Sequence, residues 1–287
     1  MRLMTLNTHS LVGEDFSRRA AEFLAALPRQ DADVIALQEV NQTADAAPLP
    51  EGALIDFVPC GGDRPLRQDN YAAQIAGALR EAGKRYFWTW LPVKRGYGRY
   101  DEGLAFFSRR PIVRAESFWI SRSQDYENWR SRKALVIGTA GEDTLFCNLH
   151  MSWWRDPDEP FLPQWERVRH RFADAPRVWL MGDFNNPPHV RGEGYDRILL
   201  SGWYDSYLHA SVRFGEETVR GEIDGWRGQA TGKDRLRIDQ IWCNRRPAIR
   251  SYRTVFNGWD EPVVSDHFGV LVTVCDTETP EKKENEQ

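Results

Sequence analysis

The chain has 287 residues, 41% hydrophobic and 28% charged, with a net charge of −4. This composition suits a globular chain of one large domain or two small ones, and it argues against a protein whose main task is gripping duplex DNA, which calls for a basic face. No stretch approaches the ~20 apolar residues of a membrane-spanning helix, and MRLMTLNTHS lacks the apolar core and cleavage site of a secretory signal, so neither a span nor a leader is expected.

In chain order, Arg2 to Leu6 alternates weakly and ends at Asn7, Thr8, His9 and Ser10, which reads as a strand delivering Asn7. Ser17 to Leu27 sets Ala20, Phe23, Leu24 and Leu27 on one helical face, with Pro28 as the expected stop. Asp33 to Leu37 is a buried strand ending in Gln38, Glu39, Val40 and Asn41, and Pro48 to Pro65 is loop. Asn70 to Ala82 reads as a helix with Ile75 and Leu79 inward. Tyr86 to Leu91 is an aromatic strand, followed by a loop from Lys94 to Tyr100. Asp101, Glu102 and Gly103 open the strand Leu104 to Ser108, and strand-like segments follow at Val113 to Ser121 and Lys133 to Gly138.

Leu145 to Leu149 leads into His150, Met151, Ser152, Trp153 and Trp154. Pro163 to Ala173 carries Trp165, Val168 and Phe172 at helical spacing. The run Val178 to Met181 then stops at Gly182, Asp183, Phe184, Asn185 and Asn186, as a buried strand does when it delivers polar groups to a sheet end. If the extended geometry persists, Asp183 and Asn185 point the same way. Arg237 to Cys243 and Phe268 to Cys275 are the last strands, the latter preceded by Val264, Ser265, Asp266 and His267. The four cysteines, Cys60, Cys147, Cys243 and Cys275, form no CxxC pair and read as reduced thiols, which points to the cytoplasm. One domain over residues 1–276 is expected, with 277–287 a disordered tail.

Many strands and few crossover helices favour an α/β (α+β) architecture of two strand-rich layers packed face to face, with helices outside. Asn7, Glu39, Glu102, His150, Asp183, Asn185, Asp239, Asp266 and His267 all sit at ends of apolar strands. Singly, each has a bland explanation: a cap, a solvated carboxylate, a satisfied interior imidazole or an Asx-turn. Recurrence at so many strand ends points to a site.

Seven stretches, LNTHS, LQEVNQ, YDEGLAFFSRRPI, NLHMSWW, MGDFNN, RIDQIW and SDHFGV, occur in the order found in the endonuclease/exonuclease/phosphatase superfamily, which the chain resembles from Met1 to about Val274. The resemblance implies a DNase I-like four-layer αββα sandwich of two mixed sheets, and phosphoester hydrolysis dependent on a divalent metal, Mg²⁺ with Mn²⁺ as a substitute. It implies that Glu39 is the principal metal carboxylate, aided by Asp266 and Asn7. Asp183 would orient and deprotonate the attacking water, with Asn185 and Asn7 orienting it or the phosphate. His267 and His150 would hold the phosphate, Asp239 would hold His267, and Glu102 would support His150. Where some relatives carry a second carboxylate two residues after the first Asn, this chain has His9.

A closer resemblance, carried also by VIALQEVNQ, the DNYA segment at Asp69 to Ala72, YFWTW and GYGRYDEG, is to maltose 6′-phosphate phosphatases, cytoplasmic bacterial members of the superfamily. It implies a small phosphorylated sugar as substrate rather than nucleic acid, and no membrane partner. Twelve Trp residues suit this reading, since Trp offers a flat apolar platform to a sugar ring. Asn41, Asp69, Asn70, Trp129, Trp153 and Trp154 are candidate sugar contacts, and Arg130, Arg132 and Lys133 candidate phosphate contacts, though a charge run of this kind is more often a solvated face. The competing readings are a metal-dependent nuclease acting on DNA phosphodiesters, a catalytically inactive binding protein, and a lipid phosphodiesterase.

Overall fold

In the computed structural model, which describes residues 1–221 and 235–275, the first half of the chain runs β1 (Arg2–Asn7), α1 (Phe16–Gln30), β2 (Val34–Thr43), α2 (Tyr71–Glu81), β3 (Phe87–Gly96), β4 (Tyr100–Ser108), β5 (Ile112–Trp119) and β6 (Lys133–Thr139). It continues with β7 (Leu145–His150), α3 (Phe161–Arg171), β8 (Val178–Asp183), α4 (Gly194–Leu200), β9 (Tyr204–Asp205), α5 (Ser206–His209), β10 (Ala210–Phe214), β11 (Val219–Arg220), β12 (Arg235–Leu236), β13 (Asp239–Cys243), β14 (Ile249–Val255) and β15 (Gly269–Val274). The expected disordered tail, 277–287, lies outside the described residues.

One sheet has the order β10-β14-β15-β1-β2-β4-β3 and the other β5-β6-β7-β8-β13-β9. In each, a central strand has one parallel and one antiparallel neighbour. β1 lies parallel to β2 and antiparallel to β15, while β8 lies parallel to β7 and antiparallel to β13. β1 and β8 face each other across the sandwich. β1, which ends in Asn7, and β8, which ends in Asp183, thus hold equivalent places in the two sheets.

Alternation along the central strands explains the layers. Leu3, Ala36 and Phe106 turn inward and mesh with Ile137, Phe146, Met181 and Ile241 of the facing sheet. Met4, Leu6, Ile35 and Leu37 turn outward and are covered by Phe23 and Leu27 of α1 and Ile75 and Leu79 of α2. On the opposite outer face Trp165 and Val168 of α3 and Ile198 of α4 cover Cys147, Leu149 and Leu180. Strands buried on both faces read as continuous apolar runs, and each fully buried large side chain contributes roughly 1.5–3 kcal/mol relative to exposure. This is the DNase I-like αββα sandwich. All four cysteines are free, and no helix among the described residues is long and apolar enough to cross a membrane.

Several boundaries differ from expectation. Pro28 lies inside α1, which runs on to Gln30 and ends at Asp31 in the left-handed region. A proline in the last turn forfeits one carbonyl partner without stopping the two residues after it. β2 continues to Thr43 through an irregularity between Leu37 and Val40. Lys94 is not in a loop but in β3, and Glu102 is interior to β4 rather than ahead of it. The two strands pair Lys94 with Glu102 and Arg95 with Asp101 across the hairpin, at 3.1 and 3.0 Å. Opposed charges are what let this polar sequence enter a buried sheet. β14 had no sequence signal because Arg250, Ser251 and Arg253 and a register shift after Ile249 break its alternation.

β13, which begins at Asp239, is anchored by a buried ion pair just before it. Arg237 Nη2 donates to Asp205 Oδ2 at 2.8 Å, and the same oxygen accepts from the Tyr195 hydroxyl at 2.7 Å. Removing one partner leaves a buried charge uncompensated, so Asp205→Ala is expected to lower unfolding stability by about 3–5 kcal/mol. A urea titration checks this; a midpoint unchanged from wild type would show that the pair anchors nothing.

Candidate active site

The catalytic candidates converge where β1 and β8 end. In the second sheet His150, Asp183 and Asp239 are direct neighbours in register on β7, β8 and β13. Parallel and antiparallel pairing therefore places three polar side chains side by side from three separate stretches of sequence. Gly182, just before Asp183, has φ 146°, and a Cβ there would collide with the Leu149 carbonyl, so only glycine lets β7 and β8 approach this closely. Asp183 does not continue as extended chain: its Oδ1 accepts the Asn185 backbone N–H at 2.9 Å, and Asn185 has φ 50°. The expected shared direction of the two side chains gives way to an Asx-turn. Asn185 still lines the cavity, its amide donating to the Met151 carbonyl at 2.9 Å.

The first sheet supplies the remainder. Asn7 Nδ2 donates to Glu39 Oε1 at 2.8 Å and lies 3.3 Å from Asp183 Oδ2, bridging the two sheets. Glu39 sits at the β2 irregularity with φ 50°, where a bulge re-aims a side chain. Its Oε2 is 3.2 Å from His9 Nδ1, and Asp266 Oδ2 is 3.9 Å from the same nitrogen. Beneath the site Gln38 donates to Asn148 Oδ1 at 2.6 Å, and Asn148 donates to the Leu37 and Ala105 carbonyls, both at 2.9 Å. This buried network fixes one sheet against the other directly below the reacting groups.

His267 enters from the segment ahead of β15. Its Nδ1 is 2.8 Å from Asp239 Oδ2, and its Nε2 is 4.0 Å from Asp183 Oδ2, which His150 Nε2 approaches at 3.7 Å. Burial alone would lower the His267 pKa, but the carboxylates of Asp239, Asp183 and Asp266 raise it well above the ordinary value and favour the imidazolium. Burial pushes His150 the other way, with the charges of Arg132 and Lys94 adding to it, and keeps that ring neutral. Asp183 is pushed up to about 7 by burial and by the adjacent Asp239 carboxylate. Burial opposes ionisation of Glu39, but the hydrogen bond and charge of His9 and the Asn7 amide outweigh it and hold the carboxyl well below its usual range.

Glu102 makes no hydrogen bond to His150; its carboxylate is taken by Lys94, so the expected support of His150 is replaced by an ion pair at the cavity wall. Trp129, Arg132 and Trp153 do line the cavity, as expected of substrate contacts. Three others do not. Asn41 is buried, tying its side chain to the Ser10 carbonyl at 2.6 Å. Asn70 caps α2, accepting from Ala73 N–H at 3.0 Å and donating to Gln42. Trp154 turns away and packs on Phe161 in the outer layer. Asp69 accepts from Thr43 N–H, Arg130 is engaged by Asp156 and Asp158, and Lys133 lies over the Trp119 ring. The cavity also includes His9, Lys94, Arg95, Tyr97 and Glu127, none of which sequence reading selected as contacts.

Among the described residues two groupings offer ligand atoms to a cation. Asp183, Asp239 and His267 bring theirs within 4.8 Å of one another, but Nδ1 of His267 is already committed to Asp239. Glu39 and Asp266 suit a hard divalent cation better, because both carboxyls line the cavity and Glu39, hydrogen-bonded by Asn7, is held ionised.

The sequence profile of the Endonuclease/Exonuclease/phosphatase family matches residues 4–267. No curated protein sequence matches the chain. Among solved structures, an endonuclease/exonuclease/phosphatase family protein from Leptotrichia buccalis is 26% identical with a TM-score of 0.82, covering 96% of this chain and 100% of that one. A mannosyl-6-phosphatase from Bacteroides thetaiotaomicron is 19% identical with a TM-score of 0.66, covering 96% and 100%. A truncated Caenorhabditis elegans TDP2 is 15% identical with a TM-score of 0.58, covering 96% and 97%.

Proposed function

Because the chain belongs to the Endonuclease/Exonuclease/phosphatase family, whose members are metal-dependent phosphoester hydrolases, we propose that it is a cytoplasmic Mg²⁺-dependent phosphatase of carbohydrate metabolism, acting on a phosphorylated sugar such as maltose 6′-phosphate. The observation that carries this reading is the cavity itself. It has a volume of about 530 Å³, opens directly onto Asp183, His150 and His267, and has Tyr97, Trp129 and Trp153 in its wall. That volume lies within the ~300–1,000 Å³ range of small-molecule sites. The edge-to-face pair of Trp129 and Trp153, with centroids 6.3 Å apart, offers sugar rings an apolar surface, and the indole N–H of Trp153 is buried without a partner. The structural likeness to a mannosyl-6-phosphatase supports the same class of substrate.

In this reading Glu39, Asp266 and Asn7 hold the cation. When bound, the cation neutralises charge on the phosphoryl oxygens as a Lewis acid. Asp183 accepts a proton from the water that attacks phosphorus, while the bond from phosphorus to the sugar oxygen breaks and that oxygen leaves as a hydroxyl with a proton from solvent. The second oxygen of Asp183, fixed by Asn185 N–H, sets the direction of the acceptance. His267, held protonated by Asp239, donates to a phosphoryl oxygen as negative charge develops there. His150, kept neutral, donates one hydrogen bond to the same group without adding charge. Trp129 and Trp153 orient the sugar.

Incubating the chain with Mg²⁺ and a panel of hexose and disaccharide 6-phosphates, nucleotides, plasmid DNA and abasic-site DNA separates the readings. Phosphate release from the sugar phosphates is expected, with the DNA intact. Efficient cutting of DNA with the sugar panel untouched would establish the nuclease instead, and no turnover of any phosphoester would leave a binding protein.

A further inference from the structure

Among the described residues four Lys or Arg side chains are buried: Arg19, Lys94, Arg132 and Arg237. Three have a carboxylate partner, Asp15 at 2.9 Å, Glu102 at 3.1 Å and Asp205 at 2.8 Å respectively. Arg132 is the exception. It is 3% exposed, and no carboxylate of a described residue lies within the 4.0 Å of an ion pair. Its Nη1 donates to the Trp129 and Ser131 carbonyls at 2.8 and 3.2 Å, while its buried Nε has no partner. The backbone is equally fixed: Ser121 Oγ accepts Arg132 N–H at 2.8 Å, and the Arg132 carbonyl accepts Ile120 N–H at 3.0 Å. A guanidinium withdrawn from water and left without an anion is unfavourable. It is held rigidly in that state, in the wall of the cavity shared by His150 and Asp183.

Lys94 beside it is paired with Glu102 at 3.1 Å, whereas Arg132 feels the charges of Glu102, Glu39 and Asp183 with none of them at ion-pair distance. Resting on the phosphoester-hydrolase reading of the site, we propose that Arg132 is the specificity-determining residue that selects phosphomonoesters over phosphodiesters, by binding the doubly charged terminal phosphoryl group. A phosphomonoester carries close to two negative charges at neutral pH, whereas a diester carries one and has an ester group where the monoester has a third terminal oxygen. With Nη1 taken by the Trp129 and Ser131 carbonyls and Nε buried, Nη2 is the donor left to a terminal oxygen, and the charge of the guanidinium does the discriminating. With the cation held by Glu39 and Asp266 meeting one charge, Arg132 meets the other. A diester leaves this guanidinium only partly compensated.

The test compares wild type, Arg132→Ala and Arg132→Lys in kcat/KM for 4-nitrophenyl phosphate and bis(4-nitrophenyl) phosphate with Mg²⁺, and in the Tm rise given by saturating inorganic phosphate. Arg132→Ala is expected to lose about 100-fold on the monoester, to change by less than about threefold on the diester, and to lose the phosphate-induced Tm rise. Arg132→Lys, which keeps the charge but not the anchoring of the guanidinium on the Trp129 and Ser131 carbonyls, is expected to fall between. Equal losses on both esters, or a phosphate-induced Tm rise in Arg132→Ala equal to that of wild type, would overturn the assignment. The Tm rise decides the matter where either esterase activity is too low to read, and folding of each variant is read from the same melting curve. A wild type that hydrolyses neither of these esters nor any sugar phosphate would sink the hydrolase reading, while its response to phosphate would still test Arg132.

Discussion

His267→Ala is expected to lower kcat by about 10³-fold, and to lower the unfolding midpoint as well, because it leaves the buried Asp239 carboxylate without its partner. The size follows from losing a charged donor at the point where negative charge develops, a contribution typically of 10²–10⁴-fold. The geometry says why the loss falls on the chemical step. His267 is oriented by Asp239 through a 2.8 Å contact, and its other nitrogen is turned toward Asp183. Asp239→Asn removes the charge that keeps the ring protonated, so it is expected to reproduce most of the His267→Ala defect. The double variant should then be little worse than either single one, since residues acting as a unit are non-additive. Pre-steady-state and steady-state phosphate release measure all three variants. Fully multiplicative losses would mean that Asp239 acts separately from His267.

Glu39→Gln is expected to raise the Mg²⁺ concentration for half-maximal activity by about 100-fold. Altering groups that merely support metal ligands costs 10–100-fold in affinity, and Glu39 is assigned as a ligand itself. The substitution keeps the shape and can still meet the Asn7 amide, so stability should change little while the charge is lost. Mg²⁺ titration of activity checks this, with Mg²⁺-dependent Tm as an independent reading. An unchanged titration would remove Glu39 from the metal shell and direct attention to Asp183, Asp239 and His267, the other group of close ligand atoms.

Which parts of this site were legible in the sequence follows from how each residue reaches it. Asn7, His150 and Asp183 sit where apolar strands end, and strand periodicity alone delivers them to one edge of the sheets. Glu39 was legible as a residue of its motif but not as a geometry, because the irregularity in β2 that aims it has no one-sequence signature. Lys94 and Glu102 were misread for a shared reason: each looks like a solvated charge until the other is placed opposite it across a hairpin.

The substrate wall was harder still. Asn41, Asn70 and Trp154 are adjacent in sequence to site motifs, yet a strand or helix turns neighbouring side chains to different faces. Asn41 was drawn into securing the Ser10 loop, Asn70 into capping α2, and Trp154 into the outer layer. Trp153, its immediate neighbour, is in the cavity wall. Glu127 reaches that wall from a segment outside the site motifs, which only the tertiary fold brings to it.

The measurement that tests the account most directly is hydrolysis of a disaccharide 6-phosphate by the wild-type chain in ¹⁸O-labelled water, with Mg²⁺ and again after chelation by EDTA. The account predicts Mg²⁺-dependent release of inorganic phosphate carrying the label, with an unlabelled sugar and no release once the metal is removed. Release that persists in EDTA, label appearing in the sugar hydroxyl, or no phosphate at all in the presence of Mg²⁺ would contradict it.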